Sequence, residues 1–172
     1  IFNHSTPEAI RAMRANLIDL AVVTTPMSLK KPLEKIPLSK CKEILICGPK
    51  YSYLTDTAKS LKDLTEIPLI SLSEGTGTYD LYNKFYIAHS VPFTPDMEVA
   101  TTDQIIPMIT HNLGIGFYPE DLATELIEDK KVFPINIEEK LPIREVCLVI
   151  NKSSAMSTSV QKFYNFLRNS VS

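Results

Sequence analysis

The 172-residue chain has no excess of charge of either sign: 18 Lys and Arg against 20 Asp and Glu leave a formal net charge of −2. That balance excludes strong attraction to a nucleic-acid backbone, which needs clustered cations. Cysteine is scarce. Cys41, Cys47 and Cys147 do not make a disulfide framework, and no CxxC pair or Cys/His spacing supports a metal site. They suit small buried hydrophobes in a reducing compartment, so a cytoplasmic location is expected. No apolar run reaches the roughly 18 residues of a membrane-spanning helix, and no signal peptide is visible, so no membrane partner is expected. Internal repeats and low-complexity segments are also missing.

Catalytic signatures are equally absent. There is no G-x-S-x-G, and no cysteine has a helix-start setting that would activate it. Glu138 and Glu139 stand in a polar turn that suits solvation. His4, His89 and His111 are scattered, which fits surface or capping positions better than metal ligation. The G-T-G-T of residues 75–78 and the L-G-I-G-F of residues 113–117 each lack the third glycine of a dinucleotide fingerprint. The expectation is therefore no enzyme, no cofactor and no metal.

What the chain does contain is an alternation of short apolar runs with helical segments. A hydrophobic content of 44% and a charged content of 22% are ordinary for a globular protein. The length permits one sizeable core or two small lobes. Ile1-Phe2 reads as the end of a strand, and S-T-P-E at 5–8 as a helix start, with a capping hydroxyl, proline at the first turn and an early carboxylate. Asn16 ends that helix, and L-I-D-L-A-V-V at 17–23 reads as a buried strand, oddly interrupted by Asp19. This is a β-α-β pattern, which predicts parallel pairing.

Residues 24–35, with two prolines, read as a loop. Strands are predicted at 43–47, 67–72, 97–100, 114–117, 131–137 and 145–150. Helices are predicted at 55–64, 79–89, 103–111, 119–127 and 158–168. Gly114 to Phe117 must pass close to another backbone or a ligand. The order argues for an α/β fold.

Two segments stand out for binding. L-S-E-G-T-G-T-Y (72–79) and T-T-D (101–103) each follow an apolar run and open a helix. Backbone N–H groups and small hydroxyls at such starts hold small polar or anionic molecules without catalysis. Capping and turn formation account for each hydroxyl taken singly.

The ordered set of S-T-P-E (5–8), L-I-D-L-A-V-V (17–23), P-L-S-K-C-K-E-I-L-I-C-G-P (37–49), S-L-K-D-L (60–64), P-L-I-S-L-S-E-G-T-G-T (68–78), T-T-D (101–103), L-G-I-G-F-Y-P-E (113–120) and L-P-I-R-E-V-C-L-V-I (141–150) resembles the effector-binding domain of LysR-type transcriptional regulators. The resemblance implies two Rossmann-like subdomains joined by two crossover strands, similar to periplasmic solute-binding proteins. The first subdomain would be 1–48 plus 145–172 and the second 49–144, with Glu43–Cys47 and Glu145–Ile150 as adjacent crossing strands. It implies a small polar or anionic effector between the subdomains, contacted by Asn3, Ser5, Thr6, Glu74, Gly75, Thr76, Gly77, Thr78, Thr101, Thr102, Asp103 and Phe117.

It further implies a homodimer or homotetramer, with the 79–90 helix as a candidate surface through Tyr79, Tyr82, Phe85 and Tyr86. DNA would be bound only through an N-terminal winged helix-turn-helix, which these residues do not include. The first β-α unit of the family domain is also expected to lie outside them. The competing reading is a solute-binding protein of a transport system, which uses a similar two-lobed fold.

Overall fold

Most of the apolar runs become strands or the inner faces of helices in the computed structural model, which describes residues 1–169. The helices are α1 (Thr6–Arg14), α2 (Gly77–Ala88), α3 (Ile105–Thr110), α4 (Glu120–Glu128) and α5 (Thr158–Asn169). The strands are β1 (Leu20–Thr24), β2 (Leu33–Cys41), β3 (Glu43–Cys47), β4 (Leu69–Leu72), β5 (Met97–Val99), β6 (Ile115–Pro119), β7 (Phe133–Ile135) and β8 (Arg144–Asn151). Short 3-10 turns at Pro49–Thr55, Leu61–Leu64 and Thr102–Gln104 complete the elements.

The chain divides into two α/β subdomains. Ile1–Cys41 with the chain from Arg144 onward forms one, and Lys42–Ile143 the other. The first holds a sheet of order β1-β8-β2, antiparallel throughout. α1 covers it with Ala9, Ile10 and Met13, which pack with Ala21, Val23, Leu33 and Val149. The Ser5 N–H and hydroxyl both donate to the Glu8 carboxylate, at 3.0 and 2.9 Å, so the S-T-P-E start acts as a capping box. Asn16 follows the helix at φ 54°, a left-handed position that asparagine tolerates and that stops the helix. Buried Arg144 donates from Nε to the Thr25 carbonyl at 2.6 Å and from Nη2 to Thr24 Oγ1, holding the end of β1.

Several expectations need correction here. Ile1 and Phe2 are exposed and belong to no strand, so the predicted parallel β-α-β pairing is replaced by antiparallel pairing of β1 with β8. Asp19 lies just before β1 and is exposed, which removes the oddity of a carboxylate inside an apolar strand. β2 was not predicted: its first three residues, Leu33 to Lys35, fall in the segment read as a loop, and the rest was assigned to no element. Proline obscured it: Pro32 precedes the strand, and Pro37 sits where the β2–β8 register shifts. A bulge of that kind is where a strand accepts a residue without an N–H. The crossing pair is also different. β3 and β8 lie in separate sheets, and the strand paired with β8 on the way out of the first subdomain is β2.

The second subdomain holds a sheet of order β5-β4-β6-β3-β7. β4 runs parallel to β5 and β6, while β3 is antiparallel to β6 and β7. One face is covered by the aromatic side of α2, where Tyr82, Phe85 and Tyr86 pack with Phe93 and Phe117. The other is covered by α3 and α4 through Ile105, Ile109 and Ala123.

Tyr82, Phe85 and Tyr86 are therefore core residues, at 1%, 8% and 5% exposure, and not the docking surface expected of them. Gly114 explains how β6 enters the sheet: a Cβ there would stand 2.3 Å from the Pro68 carbonyl oxygen. Ile115 N–H donates to that same oxygen at 2.9 Å, so only glycine lets the two backbones approach this closely.

Candidate functional site

The strand ends of the second sheet gather the polar residues of interest. β4 ends at Leu72, and the chain turns through Ser73, Glu74 and Gly75 into α2. Gly75 has φ +83°, a left-handed conformation that glycine adopts without strain. Thr76 is the N-cap. Its Oγ1 accepts from the Tyr79 N–H at 3.2 Å and donates to the Ser73 carbonyl at 2.8 Å. The hydroxyl is thus committed to the turn it caps. The Glu74 N–H donates to the Glu98 carboxylate at 3.1 Å, which brings a β5 side chain to the same turn.

The second segment behaves alike. Thr101 precedes the 3-10 turn at Thr102–Gln104, and Gln104 Oε1 accepts from the Ala100 and Thr101 N–H groups at 2.9 and 3.1 Å. Pro107 lies in the first turn of α3, where its missing N–H costs little.

Of the residues predicted to touch an effector, Thr78, Thr102 and Phe117 are brought together around one recess in the second subdomain. Glu74, Gly75 and Asp103 are exposed nearby in sequence, while Thr76 is buried in its cap and Gly77 and Thr101 are half-buried. In the first subdomain Ser5 caps α1, Thr6 Oγ1 donates to the Thr24 carbonyl at 3.5 Å, and Asn3 is exposed beside a wide hollow of about 570 Å3.

The recess has residues that the sequence did not single out. Glu43, at the head of β3, is only 4% exposed, and Ser71 on β4 is 6% exposed. Tyr82 on α2 donates from its hydroxyl to Glu43 Oε2. The Tyr82 ring stacks on Phe117 at 4.0 Å between centroids and 11° between planes. The opening has about 10 Å3 for the centres of water molecules, room for one. A carboxylate at the start of the run E-I-L-I-C reads in sequence as a strand boundary, and a serine within L-I-S-L as a solvated position. The only signal was a polar residue at the head of one otherwise apolar strand and within another.

The electrostatics of this end are acidic. Burial raises the Tyr79 hydroxyl above its usual range, with Glu74, Glu98 and Asp80 acting in the same direction. Burial likewise raises Tyr118, helped by Asp103. Among the described residues no lysine, arginine or histidine lines the recess. Among the described residues no group of three His, Cys, Asp or Glu is placed to hold a metal ion. His89 and His111 serve as helix ends, each with Nδ1 against the carbonyl four residues earlier, at 2.8 and 2.6 Å.

The recess thus gathers hydroxyls and one carboxylate at the strand ends of the second sheet. The family model of the LysR substrate binding domain matches residues 1–172. The chain belongs to this family. In structure it is similar to the effector binding domain of QuiR in complex with shikimate, at 17% identity and a TM-score of 0.82, covering 99% of this chain and 79% of that one. It is also similar to the CcmR regulatory domain of Synechocystis PCC6803 in complex with 2-PG, at 16% identity and a TM-score of 0.79, over 98% of this chain and 80% of that one. The regulatory domain of an M206Q mutant of HypT from Salmonella typhimurium matches at 16% identity and a TM-score of 0.78, over 99% of this chain and 83% of that one. Comparison with curated proteins gives no match.

Proposed function

We propose that this chain is the effector-sensing and oligomerisation domain of a LysR-type transcriptional regulator, and that it performs no catalysis. The observation that carries the reading is the family match over residues 1–172. The similar domains of QuiR and CcmR are complexes with shikimate and 2-PG, both small polar molecules. The solute-binding-protein alternative has no observation in its favour.

In the proposed site the effector meets the second subdomain at the starts of α2 and α3, with Thr78, Thr102 and Phe117 as its nearest contacts there. DNA is contacted by a part of the regulator outside these residues, in keeping with the net charge of −2. Among the described residues no helix is long and apolar enough to cross a membrane.

A thermal-shift screen of small polar and anionic metabolites tests the reading. A true effector stabilises the folded state by mass action, by about 2.7 kcal/mol at a hundredfold excess over its Kd. Replacing Thr102 by valine keeps the shape and removes a hydroxyl, which should weaken the hit by about 1–2 kcal/mol. A regulator that no metabolite stabilises contradicts the proposal.

A further inference from the structure

The hollow of about 570 Å3 in the first subdomain has a strand edge in its wall, formed by Leu20, Ala21 and Val22 of β1. β1 ends the sheet order β1-β8-β2, so among the described residues one side of it pairs with β8 and the other with no strand. The Thr25 N–H donates to the Glu145 carbonyl at 2.9 Å, one step beyond the Thr24–Val146 pair. Alternation along an antiparallel ladder then turns the N–H and C=O groups of Leu20, Val22 and Thr24 away from β8. The Thr24 carbonyl is accordingly available to Thr6 Oγ1, which donates to it at 3.5 Å.

The side chains around that edge are apolar and uncovered. Phe2, Leu17, Val22 and Phe163 all line the hollow, and all are exposed. Ala21 and Val23 pack in the core with α1, so Val22 between them faces the other side of the sheet. α5 has no buried residue among those described, although Val160, Phe163 and Leu167 share one face by helical spacing. An amphipathic helix draws most of its stability from packing such a face. A small apolar molecule would cover these side chains and leave the row of backbone groups at Leu20 and Val22 unanswered. A strand answers both.

The similar domains of QuiR and CcmR are matched over 79% and 80% of their length by nearly all of this chain, so about a fifth of each has no counterpart here. We propose that the hollow seats a β-strand of the regulator's own polypeptide, from residues upstream of Ile1, which hydrogen-bonds to Leu20 and Val22. The inference rests on the reading of these residues as one part of a longer regulator. Ile1 and Phe2 themselves line the hollow, so chain upstream of them reaches it without crossing the rest of the subdomain. The strand matches the five residues of β1, a span of roughly 17 Å. α1 lines its seat through Ala9 and α5 through Val160 and Phe163. With apolar cover of that kind its sequence is a continuous apolar run and not an alternating one.

The test is hydrogen exchange, read residue by residue in the full-length regulator without effector. Val23, whose N–H is turned to β8, is the internal reference. A seated strand protects the outward Val22 amide as well, so it should exchange within about a hundredfold of the Val23 amide. Val22→Thr, which keeps the branched shape and adds a hydroxyl, is the second arm. Under a covering strand it should lower the urea midpoint of the full-length regulator, whereas on an open edge it is a surface change without effect. The upstream sequence should hold a run of about four to eight apolar residues. Serine at two positions of that run should return the Val22 amide to fast exchange and leave the Val23 amide slow.

A Val22 amide that exchanges more than about a hundredfold faster than that of Val23 overturns the proposal. So does a Val22→Thr midpoint equal to the parent's, an upstream sequence without an apolar run, or slow exchange at Val22 that survives the serine substitutions. Protection that fades on dilution to monomer assigns the hollow to a second copy, and protection that needs an added metabolite assigns it to a ligand; either result also overturns it. Because the exchange measurement contains no effector, fast exchange at Val22 refutes the strand and leaves effector sensing standing. A metabolite screen without any hit, beside a protected Val22, refutes the sensing reading instead.

Discussion

Replacing Gly114 by alanine probes the approach that seats β6, the strand that carries Phe117 into the recess. The new Cβ would lie 2.3 Å from the Pro68 carbonyl oxygen, 3.0 Å from its carbon and 3.3 Å from the Pro68 Cβ. The first two are backbone atoms and cannot rotate away, so the strands themselves must part. Overpacking of this kind costs about 1–3 kcal/mol. Separation also threatens the Ile115 N–H bond to Pro68 at 2.9 Å, worth about 1 kcal/mol.

The sum is a loss of about 2–4 kcal/mol. That is a large share of the 5–15 kcal/mol typical of a domain. Urea unfolding followed by circular dichroism measures it, with a lower midpoint at an unchanged slope as the expected signature. Gly75→Ala is the contrasting control, since a Cβ there meets nothing within 4 Å and only the φ of +83° is unfavourable. Its cost should be about 1–2 kcal/mol. A Gly114→Ala midpoint equal to the parent's, or milder than that of Gly75→Ala, refutes the reasoning.

Other expectations follow from single residues. Thr76→Ala removes a hydroxyl that both caps α2 and bonds Ser73, so stability should fall by about 0.5–2 kcal/mol and Thr76→Ser should recover most of it. Equal urea midpoints for Thr76→Ala and parent would show the cap to be idle. Met13 is fully buried against Ile10 and Val149, and Met13→Ala should cost about 2–5 kcal/mol in the same assay; a change below the range of surface substitutions would contradict that core. Burial pushes the Cys47 thiol up to about 11, while an unfolded thiol titrates near about 8.5. Above the unfolded value the unfolded chain loses its proton first, so the native state loses stability as pH rises through 11. The fall should be shallower in Cys47→Ala, and an identical pH profile for the two proteins would remove Cys47 as a cause.

Local chemistry was legible wherever the signal lay within a few residues. The S-T-P-E start became a capping box through Ser5 and Glu8, and Asn16 ended α1 in the left-handed conformation. Gly114 was read as a close backbone approach, and Pro68 supplies it. The two hydroxyl-rich segments were read as helix starts, and they cap α2 and precede α3. What escaped was non-local. Strand partners cannot be read from one strand, so the antiparallel β1-β8-β2 sheet was taken for a parallel one. Pro32 and Pro37 hid β2, although a bulge accommodates the second. The aromatic residues of α2 suggested a docking surface because such residues are enriched at interfaces, yet Phe93 and Phe117 provide the cover, and Tyr82 and Phe85 take the core face that their helical spacing also predicts. Glu43 was invisible as part of the recess because its contact with α2 joins residues nearly forty apart in the chain.

The central claim is that a small molecule is sensed at the recess of the second subdomain. The most direct measurement is NMR mapping of the metabolite that most stabilises the domain. The account predicts saturable shifts centred on Ser71, Thr78, Thr102 and Phe117, weakened by Thr102→Val in parallel with the stabilisation. Saturable binding that leaves those four residues unmoved would contradict it.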